Sequence, residues 1–121
     1  MMKCPLNIND IIKLFTYDPI QTILNLLKEK KLTQIDVSYY LGVNERNTRN
    51  YFLRKTKLNK HFLIIISVIT ELSMQPTLEL FKIAGLELTL LDDGPRYFEF
   101  IRNMEKYSVE ENLELIYQNN L

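Results

Sequence analysis

The chain has 121 residues, 46% apolar and 25% charged, with only 3 Gly and 4 Pro, a balance that fits one globular domain and leaves little room for disordered or low-complexity segments. A lone cysteine, Cys4, and a lone histidine, His61, exclude an internal disulfide framework and a multi-ligand zinc site, and they fit a reducing compartment. The formal net charge is zero, but residues 20–60 carry nine Lys and Arg against three acids, a net of +6, while residues 61–121 carry four against ten, a net of −6.

Asn7 or Asn9 can cap a short helix through residues 10–15, and Asp18-Pro19 breaks the chain before a new start. Residues 20–30 place Ile20, Ile23, Leu24 and Leu27 at three- and four-residue spacing, the stripe of an amphipathic helix. Lys28, Lys30 and Lys31 near its end suit the negative pole of a helix dipole as well as they suit phosphate. Thr33, with Asp36 three residues later, reads as a capping box for the next helix, where Ile35, Val37, Tyr40 and Leu41 supply apolar contacts. Gly42 can take the positive φ that ends this helix, and Asn44 can cap the one that follows. Two short helices at a fixed angle are expected over residues 32–55, with the small Ser38 allowing close approach.

On the second of these helices Val43, Tyr51 and Phe52 are expected to face inward. Arg46, Asn47, Arg49 and Asn50 are then spread over the outer face, where their planar groups can bond base edges or phosphates. Tyr39 and Tyr40 read as packing residues, since no single-strand-binding motif surrounds them. After Asn59, residues 61–73 are expected to form a buried central helix. The run IIISVI has strand propensity, but a lone strand would leave its backbone unpaired. Its apolar stretch is far shorter than the roughly 20 residues that span a bilayer, and the start of the chain lacks a signal-peptide pattern, so a cytoplasmic protein with no membrane partner is expected. His61 reads as an exposed or capping residue.

Gln75-Pro76 opens a further helix that Gly85 weakens or ends, and Asp92-Asp93-Gly94-Pro95 is a strong turn signal rather than a metal site. Tyr97, Phe98, Ile101, Met104 and Tyr107, and then a Ser108-capped segment with Glu111, Leu113, Ile116 and Tyr117, predict two more helices with acidic outer faces. The organisation expected is a single all-α domain over 1–121: a short N-terminal helix, a five-helix helix-turn-helix core at 20–91, and a two-helix extension at 96–121. No paired catalytic carboxylates, nucleophile with its base, or phosphate loop is legible, so neither enzymatic activity nor a cofactor is expected.

Residues 23–88 resemble the Xre-type, lambda-repressor-like helix-turn-helix family. The resemblance is carried by LLKEKKLTQIDVSYYLGVNERNTRNYF, especially Thr33-Gln34, Val37-Ser38, Leu41-Gly42-Val43 and Asn44-Glu45-Arg46, and by the later LFKIAGLEL. It implies a five-helix core in which Gln34 contacts a backbone phosphate. It also implies that Arg46, Asn47, Arg49 and Asn50 lie in or beside the major groove, with Arg54, Lys55 and Lys57 flanking it and Asn44 at the start of the reading helix. Thr48 departs from the buried aliphatic residue usual in that family, and residues 52–57 lack its common glycine turn. The function expected is a sequence-specific DNA-binding regulator of transcription, a repressor, acting on double-stranded DNA as a homodimer on an inverted repeat. The alternative is a module of the same fold that binds or inhibits a protein partner.

Overall fold

The structure, a computed structural model, describes residues 8–121. Cys4 and Asn7, one of the two expected caps, lie outside the described residues, and Asn9, the other, lies within the first helix instead of capping it. Among those described there are eight α-helices, one 3₁₀ turn and no strand: α1 Ile8–Leu14, α2 Pro19–Glu29, α3 Gln34–Leu41, α4 Glu45–Phe52, α5 Lys60–Ile69, α6 Met74–Ile83, α7 Gly94–Asn103, the 3₁₀ turn Met104–Lys106, and α8 Val109–Gln118. No helix among them is long and apolar enough to cross a membrane.

Local chemistry sets most helix starts. Asp18 accepts from Ile20 N–H at 3.0 Å ahead of Pro19, which opens α2. Thr33 and Asp36 form a reciprocal capping box on α3, as Ser108 and Glu111 do on α8. Asn44 and Asn59 each accept a backbone N–H at 2.8 Å, from Asn47 and Phe62, and so start α4 and α5. Each of these bonds satisfies a donor that a helix otherwise leaves unpaired in its first turn.

The helix ends share one device. In α2, α3, α4, α5, α6 and α8 a residue just past the last turn is left-handed, and the N–H of the next residue returns to a carbonyl five residues back. This closure satisfies the last carbonyls of each helix. The left-handed residues are Lys31, Gly42, Arg54, Glu71, Gly85 and Asn120, with φ between +56° and +77°. Only two of the six are glycine. At the other four the chain accepts a β-carbon crowded against the following carbonyl, at about 1 kcal/mol each.

The centre of the fold is α5, in which every residue from Phe62 to Ile69 is buried. It packs against α3, α6 and α8. A helix covered on all sides needs no polar stripe, and this explains how a β-branched run is helical here. Its hydroxyls are satisfied within the helix, Ser67 Oγ donating to Leu63 O at 2.8 Å and Thr70 Oγ1 to Ile66 O at 2.6 Å. The same hydrophobic cluster takes in Ile20, Ile23 and Leu26 of α2, Leu80 and Phe81 of α6, Tyr97 and Ile101 of α7, Ile116 of α8 and the final Leu121. Gly94 is required at the start of α7, because a β-carbon there would lie 1.6 Å from Thr89 O.

Three side chains expected to pack inward, Val43, Ile35 and Tyr39, are exposed instead. Val43 is exposed rather than inward, because it closes the turn behind left-handed Gly42 and precedes the capping Asn44. Ile35 is also exposed; α3 buries Val37, Ser38 and Leu41, which leaves Ile35 and Tyr39, one turn apart, on the outer side.

Candidate nucleic-acid interface

The outer face of α4 is positioned by a polar clamp beneath it. Ser38 Oγ lies 2.8 Å from Thr48 Oγ1 and 3.0 Å from Gln34 O, and Thr48 Oγ1 lies 3.5 Å from Asn44 O. Thr48 is 0% exposed and Ser38 5%. The small serine lets the helices approach, and the threonine hydroxyl finds a partner across the contact, so neither is left as a costly unpaired buried group. This accounts for a hydroxyl where the family resemblance leads one to expect an aliphatic side chain.

Aromatic packing holds the other end of α4. Tyr51 stacks on Phe62 with ring centroids 4.2 Å apart, and Phe52 meets the same ring edge-on at 6.1 Å. Asn59 Nδ2 donates to Tyr51 Oη at 2.9 Å, tying the tyrosine to the start of α5. The helix therefore ends on a rigid support, and left-handed Arg54 supplies the turn that a glycine would otherwise make.

The expected contact residues fall into three groups. Gln34, Arg46, Asn47, Arg49, Lys55 and Lys57 are exposed, and Asn50 is half-buried beside them. Asn44 is exposed too, but its Oδ1 is used as the α4 cap, which leaves its Nδ2 as the side-chain donor. Arg54 stands apart. Its guanidinium makes a two-pronged pair with Asp18, at 2.9 Å from Nη1 and 2.5 Å from Nη2. Asp18 meanwhile caps α2, so one carboxylate joins the start of α2 to the end of α4. The Arg54 hydrogen bond, aided by backbone donors at Gln21 and Ile20, holds the Asp18 carboxyl below its ordinary range.

Pairing also redistributes the basic segment. Lys30 bonds Glu71 at 3.0 Å, and Lys60 bonds Asp93 at 2.5 Å while its ammonium sits 5.8 Å from the centre of the Tyr97 ring. Of the nine basic side chains in residues 20–60, Lys30, Arg54 and Lys60 are thus held by acids. Asp93, expected only to make a turn, is an ion-pair partner whose carboxyl is lowered chiefly by the Lys60 bond. His61 is half-buried, with Nδ1 2.5 Å from Leu121 O and its ring against Tyr117. Sequence patterning missed Asp18 and Tyr117. The Tyr117 hydroxyl donates to Tyr40 O at 2.8 Å, linking α8 to the end of α3.

Comparison with protein-family models, with curated proteins and with solved structures finds no match to this chain.

Proposed function

We propose that this protein is a sequence-specific DNA-binding regulator of transcription, a cytoplasmic repressor of the lambda-repressor-like helix-turn-helix class. In this reading α3 and α4 form the helix-turn-helix, and two copies engage an inverted repeat. The observation that carries the reading is the outer face of α4: Arg46, Asn47, Arg49 and Asn50 on one rigidly clamped helix, with Lys55 and Lys57 just beyond its end. An α-helix with its side chains is about 10–12 Å across and fits a major groove about 12 Å wide. Arginine and asparagine are the side chains whose paired groups fit guanine and adenine edges. In this reading Gln34, exposed at the first turn of α3, bonds a phosphate beside the groove. Arg54 serves this interface indirectly, by fixing the end of α4 to Asp18.

Selection of bound duplexes from a randomised library by the purified protein tests the reading. Enrichment of an inverted repeat with half-sites about 10 base pairs apart is expected. A pool that stays random through successive rounds contradicts it.

A second reading, a module of this fold that binds a protein partner, is favoured by one observation. Ile35, Tyr39, Val43 and Leu53 lie exposed on α3, its turn and the end of α4, and Tyr39 is 80% exposed. Exposed aromatic and aliphatic side chains of this kind serve protein interfaces. A stoichiometric protein partner whose binding is lost with Tyr39→Ala, together with a random DNA pool, would select this reading.

A further inference from the structure

Tyr17, in the loop between α1 and α2, is 100% exposed, more than any other large apolar or aromatic side chain among the described residues. The backbone that carries it is nevertheless held on both sides. Thr16 N–H donates to Thr22 Oγ1 at 2.9 Å, and Thr16 Oγ1 accepts from Asp18 N–H at 3.0 Å. Asp18 O accepts from Thr22 Oγ1 at 3.0 Å, and Thr22 is fully buried. Aromatic rings are among the largest contributors to packed cores and interfaces. This ring contributes nothing to the fold, although the residues before and after it are fixed.

The loop is joined to the end of α4. Both carboxylate oxygens of Asp18, the residue after Tyr17, accept from Arg54, at 2.9 and 2.5 Å. The pair brings the Tyr17 backbone next to the end of the candidate reading helix and neutralises the acid at its side. Lys55 and Lys57, just beyond Arg54, are exposed, and no described acid pairs with either. A polyanion is the partner such a flank attracts. A tyrosine hydroxyl is one of the side-chain groups that bond DNA phosphates, and a bond to an ionised oxygen is stronger than one between neutral groups.

We propose that Tyr17 belongs to the nucleic-acid interface, its hydroxyl donating to a backbone phosphate of double-stranded DNA alongside Lys55. The interface then extends from α4, across the Asp18–Arg54 pair, onto the α1–α2 loop. This rests on the DNA reading above and adds to it a contact that carries no base information.

The test is anisotropy with two labelled duplexes, the inverted repeat recovered by selection and a scrambled sequence of equal length, using the full-length natural protein, Tyr17→Phe and Tyr17→Trp. Because the side chain touches nothing in the fold, unchanged thermal midpoints are expected for both variants. Tyr17→Phe removes only the hydroxyl, and should weaken both duplexes by about tenfold, the size of one lost hydrogen bond to a charged group. It removes no cation, so the salt dependence should keep its slope. The chain has no tryptophan, so emission of the Tyr17→Trp protein reports this position alone. It should change on adding duplex and saturate together with the anisotropy. Unaltered affinity of Tyr17→Phe overturns the proposal whatever the emission shows, and so does unaltered emission on a duplex that the Tyr17→Trp protein binds; either leaves the DNA reading standing. A natural protein that binds neither duplex overturns both.

Discussion

Ser38 and Thr48 show how much of the α3–α4 geometry depends on two hydroxyls. They meet at 2.8 Å in a buried contact, and each also faces a backbone carbonyl one turn back. Thr48→Val keeps the volume and removes the hydroxyl. The loss of stability expected is about 1–2 kcal/mol, since Ser38 Oγ loses a buried partner while keeping Gln34 O. Urea unfolding measures it. An unchanged midpoint would mean that methyl packing alone holds the contact. The three lowered carboxyls belong to the same scale: Asp18 beside Arg54, Asp93 beside Lys60, and Glu111 in its capping box, where the Ser108 backbone N–H is the main cause. A carboxyl lowered by folding stabilises fully above its unfolded pKa, near 4, and the gain is lost as pH falls through the lower, folded value. Stability from these groups is therefore expected to be flat from about pH 6 to 8 and to decline below about pH 4. In the double variant Asp18→Asn, Asp93→Asn the decline should be shallower. An equally steep decline in that variant would place the acid sensitivity elsewhere.

At the scale of elements, what was legible in the sequence follows the range of the interactions. Capping is local, and so Thr33 with Asp36, Asn44, and Ser108 with Glu111 could be recognised from spacing alone. Gly42 and Gly85 were legible as helix ends because glycine marks the left-handed region. Lys31, Arg54 and Glu71 adopt the same conformation without any such mark, so the turn after α4 read as lacking its glycine although Arg54 makes it. Apolar character alone points Val43 inward, whereas the turn geometry faces it outward. The candidate contact residues on α4 are legible from helical periodicity, with Phe52 on the inner face. The partner of Arg54 is not: Asp18 lies 36 positions away, and nothing in the local sequence encodes that pairing. The helix ends give a direct prediction. Lys31→Gly should raise stability by about 0.5 kcal/mol, relief of left-handed crowding outweighing the added freedom of the unfolded chain. A lower thermal midpoint in that variant would show that the Lys31 side chain contributes more than its backbone conformation costs.

At the scale of the whole molecule, the acidic C-terminal helices are joined to the basic segment through the core and through specific bonds. Ile101, Met104 and Ile116 share one cluster with α5; Asp93 holds Lys60, and Tyr117 reaches the backbone of Tyr40 at the end of α3. The charge division of the sequence is thus partly spent on internal pairing, with Glu71 and Asp93 from the acidic half taking up Lys30 and Lys60 of the basic half. What the pairing leaves on the outer face of α4 is Arg46 and Arg49, with Lys55 and Lys57 following, and the proposed function depends on those cations meeting phosphate and base edges. The most direct test is fluorescence anisotropy with the selected duplex over a range of salt concentrations, for the natural protein and for Arg46→Ala and Arg49→Ala. The affinity of the natural protein should fall on a log-log plot with a slope of about −0.9 per phosphate neutralised. A variant that removes base readout should lose about 1–3 kcal/mol of discrimination against mutated sites. A variant that removes a phosphate contact should instead weaken all sequences alike and reduce the slope by about one. DNA binding that is absent, independent of salt, or unaltered in both variants would contradict the assignment of α4 as the reading helix.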